Sequence, residues 1–228
     1  GRMSSGMGGG RVIRGRPAVR LALVVGVLSA SGGATSGQAQ EIRAVGGVVG
    51  GNSARQLWSN GAGETGARTG LTLGAFVEVA APPSWLGVMA EATYSQRGAR
   101  LDESFTGSVP AEVRSDYLTG LLAPTLRWFP NPMGLTVGAG LAFEYLITTN
   151  AARELEIIYG NPTPMALSGV LLAGGEYLHR ERWWFRMEAR WFEGLRQAYT
   201  GTVTDVRIRA FEAVLTVGTR PASDRPPR

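Results

Sequence analysis

Cysteine is absent from this 228-residue chain, and histidine occurs once, as His179. The first absence excludes disulfides, thiolate metal sites and cysteine nucleophiles. The second excludes a multi-histidine metal centre and argues against a Ser-His-Asp triad, so neither a metal nor another cofactor is expected. Lysine is missing too, because all 23 basic residues are Arg. No Asp or Glu precedes Glu41. No run after the N-terminal region offers the ~20 consecutive apolar residues that a spanning helix needs. What is abundant is glycine, with 33 residues, against a usual share of about 7%. Hydrophobic residues make up 44% and charged residues 18%, which is too apolar for a disordered chain.

The formal net charge of +5 invites a nucleic-acid partner, but its position argues otherwise. Arg2, Arg11, Arg14, Arg16 and Arg20 all precede Glu41, and from there on 18 Arg face 18 acids. A nucleic-acid binder carries its basic excess on a folded face; none is expected here. The basic segment instead leads into Leu21-Ala-Leu-Val-Val-Gly-Val-Leu28 and then into small residues ending Gly37-Gln-Ala39. Positive stretch, short apolar run and small residues at −3 and −1 make residues 1–40 a predicted cleaved signal peptide. The domain proper is predicted over 41–220, with a short polar tail at 221–228.

From residue 41 onward, strict two-residue alternation recurs. Leu135, Val137, Ala139, Leu141, Phe143, Tyr145 and Ile147 share one face, while Thr136, Gly138, Gly140, Ala142 and Glu144 share the other. A helix would scatter both sets around its circumference, so the segment reads as a strand. Similar readings give strands near 42–51, 68–80, 85–101, 116–129, 165–179, 183–199 and 205–219. Tight turns at 81–84, 130–134 and 180–182 alternate with longer polar links near 52–67, 102–115 and 150–164 and a shorter one near 200–204. Several alternating runs reach 12–16 residues, against ~5–6 in soluble sheets and ~9–11 for a tilted membrane-spanning strand.

These features predict an all-β fold: an eight-stranded antiparallel up-and-down transmembrane β-barrel, short-turned at its periplasmic end and long-looped at the other. Trp85, Trp128, Phe129, Trp183 and Trp184 lie beside the short turns, and Tyr94, Tyr117, Tyr145 and Tyr199 lie toward the long-loop ends. They are expected to form two interfacial belts.

Glu91-Ala-Thr-Tyr-Ser-Gln-Arg-Gly98 and Tyr117-Leu-Thr-Gly-Leu-Leu-Ala-Pro-Thr-Leu-Arg-Trp-Phe129 resemble two strand motifs of the PorT-like outer membrane β-barrel family. The order of elements agrees over roughly 41–220. Pro124 arrives later than in the family pattern, and the last strand lacks the usual closing aromatic, Phe211 being the last in the chain. The resemblance implies an integral barrel defined by its architecture, some relatives of which act in secretion or envelope assembly.

Parity assigns Glu78, Glu91, Arg97, Arg127, Glu144, Glu176, Arg186, Glu188, Arg190 and Glu212 to the interior. Six acids and four arginines cannot stand unpaired there, so an Arg–Glu network filling the lumen is expected. An eight-stranded barrel is just wide enough for side chains to fill. A glycosidase-like pair such as Glu91 and Glu144, or a proton relay, is the competing reading of the same carboxylates. Lipid A-modifying barrels use a histidine at the outer rim, whereas His179 adjoins a periplasmic turn, so no enzyme activity is expected. Arg207 and Arg209 fall on the lipid parity near the outer rim, where they suit lipopolysaccharide phosphates. The expected partners are outer membrane lipid, lipopolysaccharide and an envelope protein. A small transport channel and a secreted soluble ligand-binding barrel are the alternatives.

Overall fold

The computed structural model describes residues 41–59, 63–81, 83–102, 111–128, 132–150, 163–180, 182–200 and 205–220. The expected signal peptide at 1–40, the tail at 221–228, Phe129 and the side chain of Tyr199 therefore lie outside what is described. Eight long strands run as β1 (Glu41–Trp58), β3 (Gly66–Ala81), β4 (Leu86–Leu101), β5 (Ala111–Trp128), β6 (Met133–Asn150), β7 (Met165–His179), β8 (Trp183–Gly194) and β10 (Asp205–Thr219). Two-residue strands β2 (Gly63–Glu64) and β9 (Tyr199–Thr200) extend β1 and β10 at the long-loop end.

Each long strand pairs antiparallel with the next, and β1 pairs β10 from Val45↔Thr219 to Trp58↔Val206. The sheet is thus a closed eight-stranded barrel with no free edge. Closure brings β1 and β10 close together: a Cβ at Gly46 would stand 2.5 Å from Gly218 Cα and collide with the Val217 carbonyl. Strand β1 continues to Trp58, well past the alternation visible at 42–51, and β5 begins at Ala111 rather than near 116. The reason is chemical. Toward the long-loop end the outward positions become charged, as at Arg55 and Arg114, so the apolar signal fades while backbone pairing goes on.

Outward positions carry Val49, Leu73, Leu122, Leu135, Leu171, Met187 and Leu215, all exposed. Among the described residues no charge interrupts this band between Trp85, Trp128 and Trp183 at the turn end and Tyr94, Tyr145 and Trp191 at the other. Soluble monomers rarely expose contiguous apolar patches beyond a few hundred Å²; this band surrounds the barrel.

Two aromatics fall elsewhere than the belts. Trp184 is 1% exposed and points inward, because it follows Trp183 and adjacent residues face opposite sides. Tyr117, also 1% exposed, joins the interior by the same parity. Two irregularities also shape the interior. The β1–β3 register shifts between Ile42 and Ala44, a bulge that leaves both Arg43 and Ala44 buried. The β5–β6 ladder passes from Leu122↔Leu141 to Thr125↔Gly138 without pairs between, where Pro124 has no N–H to donate.

Candidate functional site: the charged interior

All ten lumen residues expected from parity are buried, and Arg127, the most accessible, is only 9% exposed. Arg43 is an eleventh, brought inside by the bulge. Alternation places them: every second residue of β3 to β8 and β10 points inward, and at inward Gly174 a Cβ would stand 2.9 Å from Glu188 Cγ, so its absence leaves that side chain room.

Three layers follow one another from the turn end. In the first, Glu78 Oε1 accepts from Arg43 Nη1 at 3.1 Å and Glu78 Oε2 from Arg186 Nη1 at 2.7 Å. Arg127 Nη1 lies 3.3 Å from the same carboxylate. Arg127 Nε donates to Glu176 Oε1 at 2.8 Å, and Trp184 Nε1 donates to Glu176 Oε2 at 2.8 Å. Arg186 stacks 4.4 Å from the centroid of the Trp184 ring. The inward indole is therefore a working member of the network.

In the second layer Arg190 holds Glu91 through two parallel bonds of 2.7 and 2.8 Å. Glu188 bridges Arg186 and Arg190, accepting from Arg190 Nε at 2.6 Å. In the third, Arg97 pairs with both Glu144 and Glu212 and lies 4.4 Å above the Phe192 ring. Ser168 donates to Glu144 at 2.9 Å, and Thr72 donates to Glu212 at 3.2 Å. Glu91 and Glu144 are thus clamped by different arginines in different layers.

Above the third layer apolar side chains join the interior, beside buried Gln56 and Ser115. Trp58, Leu101, Val113, Tyr117, Val206 and Ile208 form a buried cluster at the long-loop end. Parity finds these positions, but their composition reads as lipid-facing, so the cap was invisible in the sequence. Arg43 was invisible for a different reason: the bulge shifts its parity, and the glycines of β1 dilute the alternation that would reveal it.

The segment Glu91–Gly98 on β4 acquires a physical meaning here. Ser95 and Arg97 face the network, while Tyr94 faces outward. Gly98 has φ of +157°, and a Cβ there would collide with the Val113 carbonyl on β5.

Outside the barrel, above Trp191, a second ionic group spans β1, β2, β8 and β10. Arg209 Nε donates to Glu193 at 2.7 Å and its Nη1 to Glu64 at 2.5 Å, while Arg55 donates to Glu64 at 2.8 Å. The Arg209 guanidinium holds the Glu193 carboxyl below the usual carboxylate range. Arg207 is exposed on the same face. His179 sits at the turn end, its ring 6.2 Å from that of Tyr177. Among the described residues no group of three or more His, Asp or Glu is arranged to hold a metal.

Charged inside and apolar outside is the inverse of what a soluble ligand-binding barrel requires. No family model and no curated protein matches the chain in sequence. Solved structures do match in fold. The outer membrane protein OprG from Pseudomonas aeruginosa is 12% identical, with a TM-score of 0.57 over 79% of this chain and 97% of that one. Neisserial surface protein A is 11% identical, with a TM-score of 0.44 over 77% and 97%. The attachment invasion locus protein Ail of Yersinia pestis is 12% identical, with a TM-score of 0.40 over 78% and 99%. At 12% identity the likeness to OprG is one of fold: the chain is a closed eight-stranded antiparallel barrel of the architecture seen in that outer membrane protein.

Proposed function

We propose that the chain is an integral outer membrane β-barrel protein, exported by residues 1–40, whose lumen is plugged by its own ion pairs and which performs no catalysis. Its work is structural or envelope-assembling, through recognition at its long-loop rim and its periplasmic face. The observation that carries this is the pairing of an uninterrupted apolar exterior with a lumen filled by five arginines and six glutamates. Kinship with the PorT-like family belongs to the same proposal and rests on the β4 and β5 motifs. At the outer rim, Arg207 and Arg209 suit the phosphates of lipopolysaccharide, the lipid partner this reading names.

Gel mobility in SDS with and without boiling tests the proposal. The mature chain refolded in detergent is expected to resist cold SDS and shift on heating, and to give no stable single-channel conductance in planar bilayers. Identical mobility together with solubility in the absence of detergent would overturn the membrane reading.

A further inference from the structure

The turn-end mouth of the barrel opens into a cavity of about 460 Å³ that the lumen network does not occupy. Arg43, Arg127, Arg220, Glu41, Trp85 and Trp128 are among its walls. Arg43 and Arg127 are 8% and 9% exposed, so both guanidiniums belong to the buried network while bordering open space. Arg43 is anchored from behind: its Nη2 donates to the Ser84 carbonyl at 2.6 Å and its Nη1 to Glu78. Arg220 lines the mouth, its backbone N–H donating to the Arg182 carbonyl at 3.1 Å.

The charges are unevenly distributed along the barrel. At the loop side Arg97 and Arg190 face four carboxylates: Glu91, Glu144, Glu188 and Glu212. At the mouth the balance reverses. Arg43, Arg127, Arg186 and Arg220 stand there against three carboxylates, Glu41, Glu78 and Glu176. Glu78 alone serves three guanidiniums. A β-bulge was needed to bring Arg43 to this crowd, and bulges re-aim side chains where a site requires it. A concave site with a surplus of one sign concentrates counter-ions of the other. Guanidinium forks match phosphoryl oxygens in geometry. Trp85 and Trp128 set the mouth at the depth where headgroups lie.

We propose that this vestibule binds a phosphoryl group, with Arg43 and Arg127 as its floor and Arg220 as its rim. The group is carried either by a phospholipid headgroup of the surrounding leaflet or by a free phosphate. Only the lipid source rests on the membrane reading above.

The test titrates the full refolded chain in a zwitterion-free detergent and follows tryptophan fluorescence, since two of the six tryptophans border the cavity. One arm adds inorganic phosphate; the other adds short-chain phosphatidic acid, with the matching diacylglycerol as its phosphate-free control. Saturable binding in the first arm assigns a free phosphate; saturation with phosphatidic acid alone assigns a lipid headgroup. In either case Arg220→Ala weakens binding tenfold or more, and an Arg55→Gln chain, altered at an exterior pair far from the mouth, binds as the parent does. Arg220 follows the last strand, so the variant keeps the heat-dependent gel shift, which reports the fold separately. No saturable response in either arm, or undiminished binding by Arg220→Ala, overturns the proposal. A chain without a gel shift that still binds phosphate through Arg220 upholds the site and refutes the membrane reading alone.

Discussion

Replacing Glu78 by Gln removes one charge and almost no volume. It also leaves three guanidiniums, Arg43, Arg127 and Arg186, around a neutral amide in a position 0% exposed. The amide oxygen still accepts a hydrogen bond, so the loss is electrostatic. Breaking a buried ion pair from one side costs about 3–5 kcal/mol, because the stranded charge has been taken out of water without compensation. With a urea slope of ~2 kcal/mol per M, the unfolding midpoint falls by roughly 2 M. Urea unfolding in lipid vesicles, followed by tryptophan fluorescence, reads this directly. The control is Arg55→Gln, which breaks an exterior pair whose side chains are 47% and 37% exposed and which costs under about 1 kcal/mol. A Glu78→Gln/Arg43→Met double variant is expected to recover part of the loss, since it removes one of the stranded charges. A fall for Glu78→Gln no larger than that for Arg55→Gln would refute the account of the network as mutually obligatory.

Gly46→Val places a branched side chain against the Val217 carbonyl at the β1–β10 seam, and the expected outcome is a chain that fails to show the heat-dependent gel shift. The Glu193 carboxyl is held below its ordinary range by Arg209, so the stability it contributes is present above a pH of about 4.3 and lost as the pH falls through its lowered pKa. The unfolding midpoints of the parent and Glu193→Gln should therefore differ at neutral pH and converge on acidification; a difference that persists under acid would contradict the pairing.

Parity was the legible part of this sequence. Alternation alone placed the acids and arginines of β3 to β8 and β10 on the inner face, since a strand has only two sides. Proximity to a turn was the misleading part. Adjacency to the 180–182 turn suggests a belt for both Trp183 and Trp184, yet neighbours on one strand cannot both face outward, and Trp184 serves Glu176 instead. Tyr117 shows the same conflict between depth and parity. Arg43 was hidden because a register shift leaves no mark in composition. The apolar cap of Val113, Val206 and Ile208 was hidden because a hydrophobic interior and a lipid-facing exterior are written with the same residues.

The seam between β1 and β10 makes the backbone, in effect, a ring. Glu41 and Arg220 leave the barrel at the same rim, so the strand that happens to be first has no structural privilege. A short linker joining these two ends, with new termini cut in the link near 150–164, would yield a permuted chain with every ladder intact. The original order of synthesis would then show itself only in the rate at which the ring is closed, since contacts between distant segments set that rate.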